Sequence, residues 1–494
     1  MSRPSFTKVE IETGSRREAV DRPEAEDPFH IAILGDFSGR ENRGQLDPKL
    51  HGRKPVLVDR DNFDEVLAHF APELQLSLGG LQGPRIPIHF RELDDFHPDR
   101  IFEQLKIFQA LRQTRERLND RSTFDAAAEE VRSWSGGGTP KSAQPPAPSG
   151  SGASRLSARE LFEETLKATE SRSAVSQPAR ALDDFQALLR DIVAPYVEPK
   201  HDPQGPGLIA QVDAAISGQM RGLLHNPDFQ ALEALWRGVS FLVRRLSTGV
   251  DLKVFLIDIA KPELGSDLAA TYELLIEKSI GTPGAEPWAV LAGNYTFDRS
   301  DADLALLARM AAVARHAGAP FLAAASSSVL DRKRRADPEA ARSWDALRRL
   351  AQATWLGLAL PRFLLRLPFG KQTESTEAFA FEEFPAEPRH EDYLWGNPAL
   401  ACAYLLGEAF SESGWGLRPG EINEISGLPA HVYRADGEPQ LKPCAEALLT
   451  EDAAEAILDQ GLMPLLSTKG SDSVRLLRFQ SIAEPVASLA GRWS

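Results

Sequence analysis

The chain has 494 residues, 42% of them hydrophobic and 26% charged, enough to bury cores in two to four domains. Its formal net charge of −15 argues against a general nucleic-acid binder, which needs clustered Lys and Arg, and favours protein partners. Two cysteines, Cys402 and Cys444, exclude a disulfide framework and a CxxC zinc site, as expected of reduced thiols in a cytosolic protein.

Residues 1–29 form a polar N-terminal arm in which Val9 and Ile11 alternate about a short strand at Lys8–Glu12. The arm lacks the apolar region of a secretory signal. No run of 18 or more apolar residues follows it, so a cytoplasmic protein without membrane insertion is expected.

Residues 30–118 read as one compact α/β unit. His30–Leu34 is a short apolar run stopped by Gly35, and Lys54–Asp59 is a second strand. Asn62 is placed to cap a helix starting at Phe63, with Val66, Leu67 and Phe70 on one face. Leu74–Leu78 and Ile86–Phe90 alternate as half-buried strands do. After His97-Pro98 the apolar residues Ile101, Phe102, Leu105, Phe108, Leu111 and Leu118 recur at helical spacing.

Residues 119–155 form a linker. Ser135–Gly152 is almost entirely Gly, Ser, Pro, Ala and Thr, too little apolar area to offset the entropy of ordering. A helical connector at 156–204 leads into a larger α/β unit at 205–494. There, helices are expected at Leu208–Leu224, Pro227–Leu246, Asp301–Ala317, Asp337–Thr354 and Asn397–Glu412. Strands are expected at Leu252–Ile259, Trp288–Ala292 and Pro320–Ala325, with short ones near His431–Tyr433 and Val474–Phe479. Strands alternating with helices predict parallel pairing through crossovers, in a mixed sheet flanked by helices.

Catalytic signatures are lacking in the sequence. Phe369-Gly370-Lys371 is followed by Gln372, and position 365 is Leu where a phosphate loop needs Gly. His390-Glu391-Asp392 has no second His four residues on, and Ser326–Ser328 lacks the GxSxG elbow. His89, His97, Asp94 and Asp95 read as a surface loop in which an Asp caps the next helix, rather than as a metal site. Arg332–Arg335 reads as a solvated basic loop. A non-enzyme without cofactor or metal is expected. The aromatic density around Trp344, Trp355, Trp395 and Trp415 suits cores and interfaces.

Several long motifs resemble the large sheath subunit of type VI secretion systems (the VipB, TssC or ImpC family). They are His225–Glu233 with Trp236-Arg237-Gly238, Gly281–Gly284 with Glu286-Pro287, and Ala319-Pro320-Phe321. The longest are Leu360-Pro361-Arg362-Phe363-Leu364-Leu365-Arg366-Leu367-Pro368-Phe369-Gly370 and His390-Glu391-Asp392-Tyr393-Leu394-Trp395-Gly396-Asn397; Gly461–Leu465 and Lys469–Asp472 match more loosely. Upstream, Ile33-Leu34-Gly35-Asp36-Phe37-Ser38-Gly39-Arg40, Arg53-Lys54-Pro55, Asp59-Arg60-Asp61-Asn62-Phe63 and Leu93-Asp94-Asp95-Phe96-His97-Pro98 resemble the small subunit (the VipA or TssB family).

The resemblance implies a fusion of the two subunits into one chain, with the linker raising their effective concentration for each other. It implies a structural protein that stacks around an inner tube and changes packing on contraction. The implied partners are further sheath subunits, the tube protein, the baseplate and a recycling AAA+ ATPase. The family's large subunit extends beyond the Lys469–Asp472 region, so a C-terminally shortened version is expected here. A non-polymerising accessory (assembly regulator, cap or baseplate adaptor) is the alternative. The motif residues are expected to determine the fold or to lie at interfaces, with Glu391 and Asp392 pairing with Arg362 or Arg366.

Overall fold

A computed structural model describes residues 23–78, 84–135, 187–196, 205–277, 287–330, 338–385, 388–435 and 437–493. The expected strand at Lys8–Glu12, the Ser135–Gly152 run beyond its first residue, the Gly281–Glu286 motif and the Arg332–Arg335 run lie outside these residues.

The strands in chain order are β1 (Phe29–Gly35), β2 (Val56–Val58), β3 (Glu73–Ser77), β4 (Arg85–His89), β5 (Leu252–Asp258), β6 (Trp288–Phe297), β7 (Phe321–Ala325), β8 (Leu356–Leu360), β9 (Phe363–Leu364), β10 (Trp395–Gly396), β11 (Glu424–Ile425), β12 (Val432–Ala435), β13 (Glu438–Leu441), β14 (Met463–Ser467) and β15 (Val474–Leu476). Nine of them build one sheet in the order β11-β15-β14-β8-β7-β6-β1-β5-β2. Its middle is parallel: β1 pairs with β5 and β6, and β6, β7, β8 and β14 follow in parallel. The edges β2, β15 and β11 are antiparallel.

Strands from the two expected α/β units, residues 30–118 and 205–494, share this sheet. β1 is inserted between β5 and β6, in register from Phe29 opposite Leu252 to Gly35 opposite Asp258. All seven of its residues are buried. A strand apolar on both faces needs cover on both, which the interior of a helix-flanked parallel sheet supplies. Phe29, Ile31 and Ile33 point into one core and Ala32 and Leu34 into the other, as the strand period of two requires. β3 and β4 stay apart as a hairpin.

The first core is closed by the helices Pro227–Arg245 and Pro398–Ser413, the second by Asp301–Ala317. Asn226 caps the first helix through the N–H groups of Asp228 and Phe229. Gly238 lets this helix approach its neighbour: a Cβ there would lie 2.3 Å from Leu400 Cδ1.

One boundary and one helix cap differ from expectation. Residues Phe124–Ser135, assigned to the linker, form a helix because Ala127, Ala128, Val131 and Trp134 make a buried stripe. Asn62 precedes the Phe63–Phe70 helix without capping it through its side chain. That side chain instead accepts from the Asp59 N–H and donates to the Leu57 carbonyl.

Candidate functional site

The contacts between the two subunit-like segments form a seam, on which the motif residues Gly35, Phe37, Phe63, Phe96 and Trp236 lie. At the end of β1, Gly35 turns the chain into Asp36 and Phe37. Asp36 accepts the backbone N–H groups of Arg40 and Glu41 at 2.9 Å each, and burial raises its pKa. Phe37 is fully buried against Trp236, with ring centroids 5.2 Å apart in an edge-on arrangement. Phe63 and Phe70 reach the same indole from the small-subunit-like side. Phe90 and Phe96 stack at 4.1 Å and together meet Phe229. Aromatic pairs of this kind add about 0.5–1.5 kcal/mol each beyond area burial.

Charges cross the seam beside these rings. Arg40 pairs with Asp258 and with Glu263 at 3.1 Å, and Arg53 pairs with Glu263 at 2.9 Å. Burial opposes ionisation of Glu263, but hydrogen bonds from Arg53, from the Asp47 and Ala260 N–H groups and from Arg40 hold its pKa below the ordinary range. Further along, Asp99 accepts the backbone N–H groups of Glu377 and Ala378 at 2.8 and 3.0 Å. Next to it Phe102 stacks on Phe379 at 4.6 Å.

Pro98 opens the Pro98–Gln104 helix, and His97 caps it by accepting from the Asp99 N–H. That role was expected of Asp94 or Asp95. Asp95 instead takes the Arg91 and Glu92 N–H groups of the preceding turn, while Asp94 is exposed. Asp61 is also exposed and does not join the seam.

Behind the seam lies a buried ionic centre. Arg366 Nε donates to Glu233 at 2.8 Å, and its two terminal nitrogens grip Glu383 at 2.8 and 3.1 Å. Glu233 also accepts from Arg237 at 2.7 Å, and Glu383 accepts the Phe369 N–H at 2.8 Å. The Arg366 guanidinium covers the Phe369 ring at 4.2 Å. His225 bridges Glu383 and Asp392 at 3.3 Å on each side.

This geometry corrects the expected pairing of Glu391 and Asp392 with Arg362 or Arg366. Asp392 pairs with Arg389 and His225, Glu391 is exposed, and Arg362 forms a two-pronged pair with Glu446. Charge complementarity between neighbouring motifs could not find Glu383, which belongs to none of them. Glu233, four residues before Arg237 on one helix face, was visible as a helical pair.

The two longest motifs meet as strands: β9 pairs antiparallel with β10, setting Phe363 opposite Gly396 and Leu364 opposite Trp395. Trp395 donates to the His390 carbonyl at 3.1 Å, and the Tyr393 hydroxyl lies 2.6 Å from His431 Nδ1. Asn397 caps the Pro398–Ser413 helix and donates to the Tyr295 carbonyl at 3.1 Å. Pro361 follows Leu360 through a cis peptide bond. The Pro368 carbonyl accepts from Thr373, and Gly370 N–H donates to Glu374.

Among the described residues, no three His, Cys, Asp or Glu side chains gather as a metal cage. No described helix is long and apolar enough to cross a membrane.

Both segments match known families. Residues 207–483 fit the family model of the VipB (EvpB) tail sheath N-terminal domain. Residues 8–131 fit that of the type VI secretion system VipA family. The chain is also 34% identical over 305 residues to the type VI secretion system sheath protein TssC1 of Pseudomonas aeruginosa. That stretch is 56% of this chain and 61% of the relative, so the chain spans less than two thirds of the relative it matches.

Proposed function

Because this chain belongs to the VipB tail sheath family and carries a VipA-like segment ahead of it, we propose that it is a type VI secretion sheath subunit holding both halves of the protomer on one polypeptide. The observation that carries the reading is the place of β1. A strand from the VipA-like segment lies at the interior of a sheet otherwise built mainly from the VipB-like segment. Residues 30–118 and 205–494 are then halves of one body rather than two tethered modules. Residues 119–155 and 156–204 connect them.

In this reading the protein does mechanical work by repacking and needs no catalytic centre of its own. Copies stack around an inner tube in the cytoplasm, contraction is a change between two packings, and baseplate, tube and a recycling ATPase are its further partners. The buried ionic centre and the aromatic seam keep each protomer rigid, so that movement is taken up between protomers.

Negative-stain electron microscopy of the purified full-length chain, with light scattering alongside, tests this. Hollow tubes with a helical repeat are expected. Monomers at every concentration would instead identify a non-polymerising accessory of the same system.

A further inference from the structure

The helix Pro227–Arg245 presents a second surface beside the seam. Arg237, Ser240, Phe241 and Arg244 fall at i, i+3, i+4 and i+7, one stripe of the helix. This stripe and the apolar wall of Leu364, Leu365, Leu428 and Pro429 enclose a groove of about 250 Å³.

Its arginines are not equivalent. Arg237 gives its Nε to Glu233, which is shared with Arg366. Arg245 spends its terminal nitrogens on the carbonyls of Ser426 and Gly427 at 2.7 and 2.6 Å. Arg244 is held only at Nε, 3.0 Å from Ser240 Oγ; it is exposed, and among the described residues it forms no ion pair. In a chain of net charge −15, this is a surplus of positive charge set against apolar side chains. Such a groove suits an acidic ridge with an apolar edge.

The same chain carries such a ridge. On the helix Glu451–Asp459, Ala454 and Ile457 are buried while Glu451, Asp452, Glu455 and Asp459 are exposed. Leu448, just before the helix, is 58% exposed. Asp452 and Asp459 stand seven residues apart, the interval that separates Arg237 from Arg244, about 10.5 Å of helical rise.

We propose that the groove receives the acidic helix Glu451–Asp459 of a neighbouring copy, with Arg244 paired to its carboxylates and Leu448 against the Leu428–Pro429 wall. The inference rests on the reading that copies of this chain assemble. Groove and ridge are different surfaces, so the contact is heterologous. A heterologous contact that does not close on itself propagates as an open helix, the symmetry a tube requires.

Charge reversal in the full-length chain, followed by light scattering and sedimentation, tests the contact. Arg244→Glu and Asp459→Lys are each expected to weaken self-association about tenfold, and the double variant, which restores opposite charges across the contact, to recover it. Raising salt from about 50 to about 500 mM should weaken the unmodified chain in the same direction without any substitution. Self-association that ignores both reversals, or a double variant no better than the singles, would overturn this contact and leave the sheath reading standing. An unmodified chain that stays monomeric throughout would overturn both.

Discussion

The indole N–H of Trp236 donates to the backbone carbonyl of Phe37 at 3.1 Å. One residue lies in the VipB-like segment and the other in the VipA-like segment, 199 positions apart in sequence. Trp236 is fully buried, and rings from Phe37, Phe63 and Phe70 surround it. Replacing it with Ala removes the largest side chain of the seam and leaves a cavity, at a cost of about 3–5 kcal/mol. Trp236→Phe keeps most of the ring but leaves the Phe37 carbonyl without its donor, and costs about 1–3 kcal/mol. Urea unfolding midpoints check both values. A Trp236→Ala protein as stable as the parent would mean that the seam contributes little.

Arg366 neutralises two carboxylates that are themselves buried, Glu233 and Glu383. Arg366→Met leaves Glu383 without an arginine and Glu233 with Arg237 alone, and the expected loss is about 3–5 kcal/mol. Adding Glu233→Gln and Glu383→Gln to that variant removes those charges and should return much of the stability. A single Arg366→Met variant within about 0.5 kcal/mol of the parent would contradict the ionic centre as described.

The same centre sets a pH dependence. Burial opposes ionisation of Glu383, yet the charge of Arg366 and the hydrogen bonds from His225, Arg366 and the Phe369 N–H hold its pKa down to about 2, against an ordinary 4.5. The folded state therefore binds fewer protons than the unfolded state in this window. The stabilisation is complete above pH 4.5 and drains away as pH falls from there toward about 2, a change on the order of 3 kcal/mol. Urea midpoints measured from pH 7 down to pH 3 should fall along this slope, and Glu383→Gln should flatten it. A slope unchanged by that substitution would assign the acid sensitivity elsewhere.

Arg53 and Glu263 meet across the seam at 2.9 Å, with both side chains largely withdrawn from water. A double-mutant cycle with Arg53→Ala and Glu263→Ala should return a coupling of about 1–3 kcal/mol, because each single substitution takes from the other residue a largely buried partner of opposite charge. Additive losses would place the two groups out of contact in solution.

Much of this fold was legible from local pattern. The runs that became β5, β6 and β7 and the helices Pro227–Arg245 and Asp301–Ala317 follow apolar periodicity, with Asn226 and Ser300 as caps. The fate of β1 was not legible. Its apolar run predicts a buried strand equally well in a small sheet or in the middle of a large one, and only pairing over some 220 residues with β5 decides between them. The ionic centre was half legible. Arg366 and Arg237 stand in long motifs, while Glu383 sits in the acidic run Glu382-Glu383 with nothing to mark which carboxylate turns inward. Arg362 shows the opposite failure: its partner Glu446 lies 84 residues away, and no spacing rule reaches that far.

A cut in the chain between the two segments asks whether β1 is an integral strand of the large sheet. A sequence-specific protease site inserted at residue 145 would be cleaved in the purified full-length protein, followed by size exclusion and thermal unfolding. Both pieces are expected to elute together and unfold in one transition, because β1 stays between β5 and β6 after the covalent link is gone. Two pieces that separate under native conditions, each keeping its own transition, would contradict it.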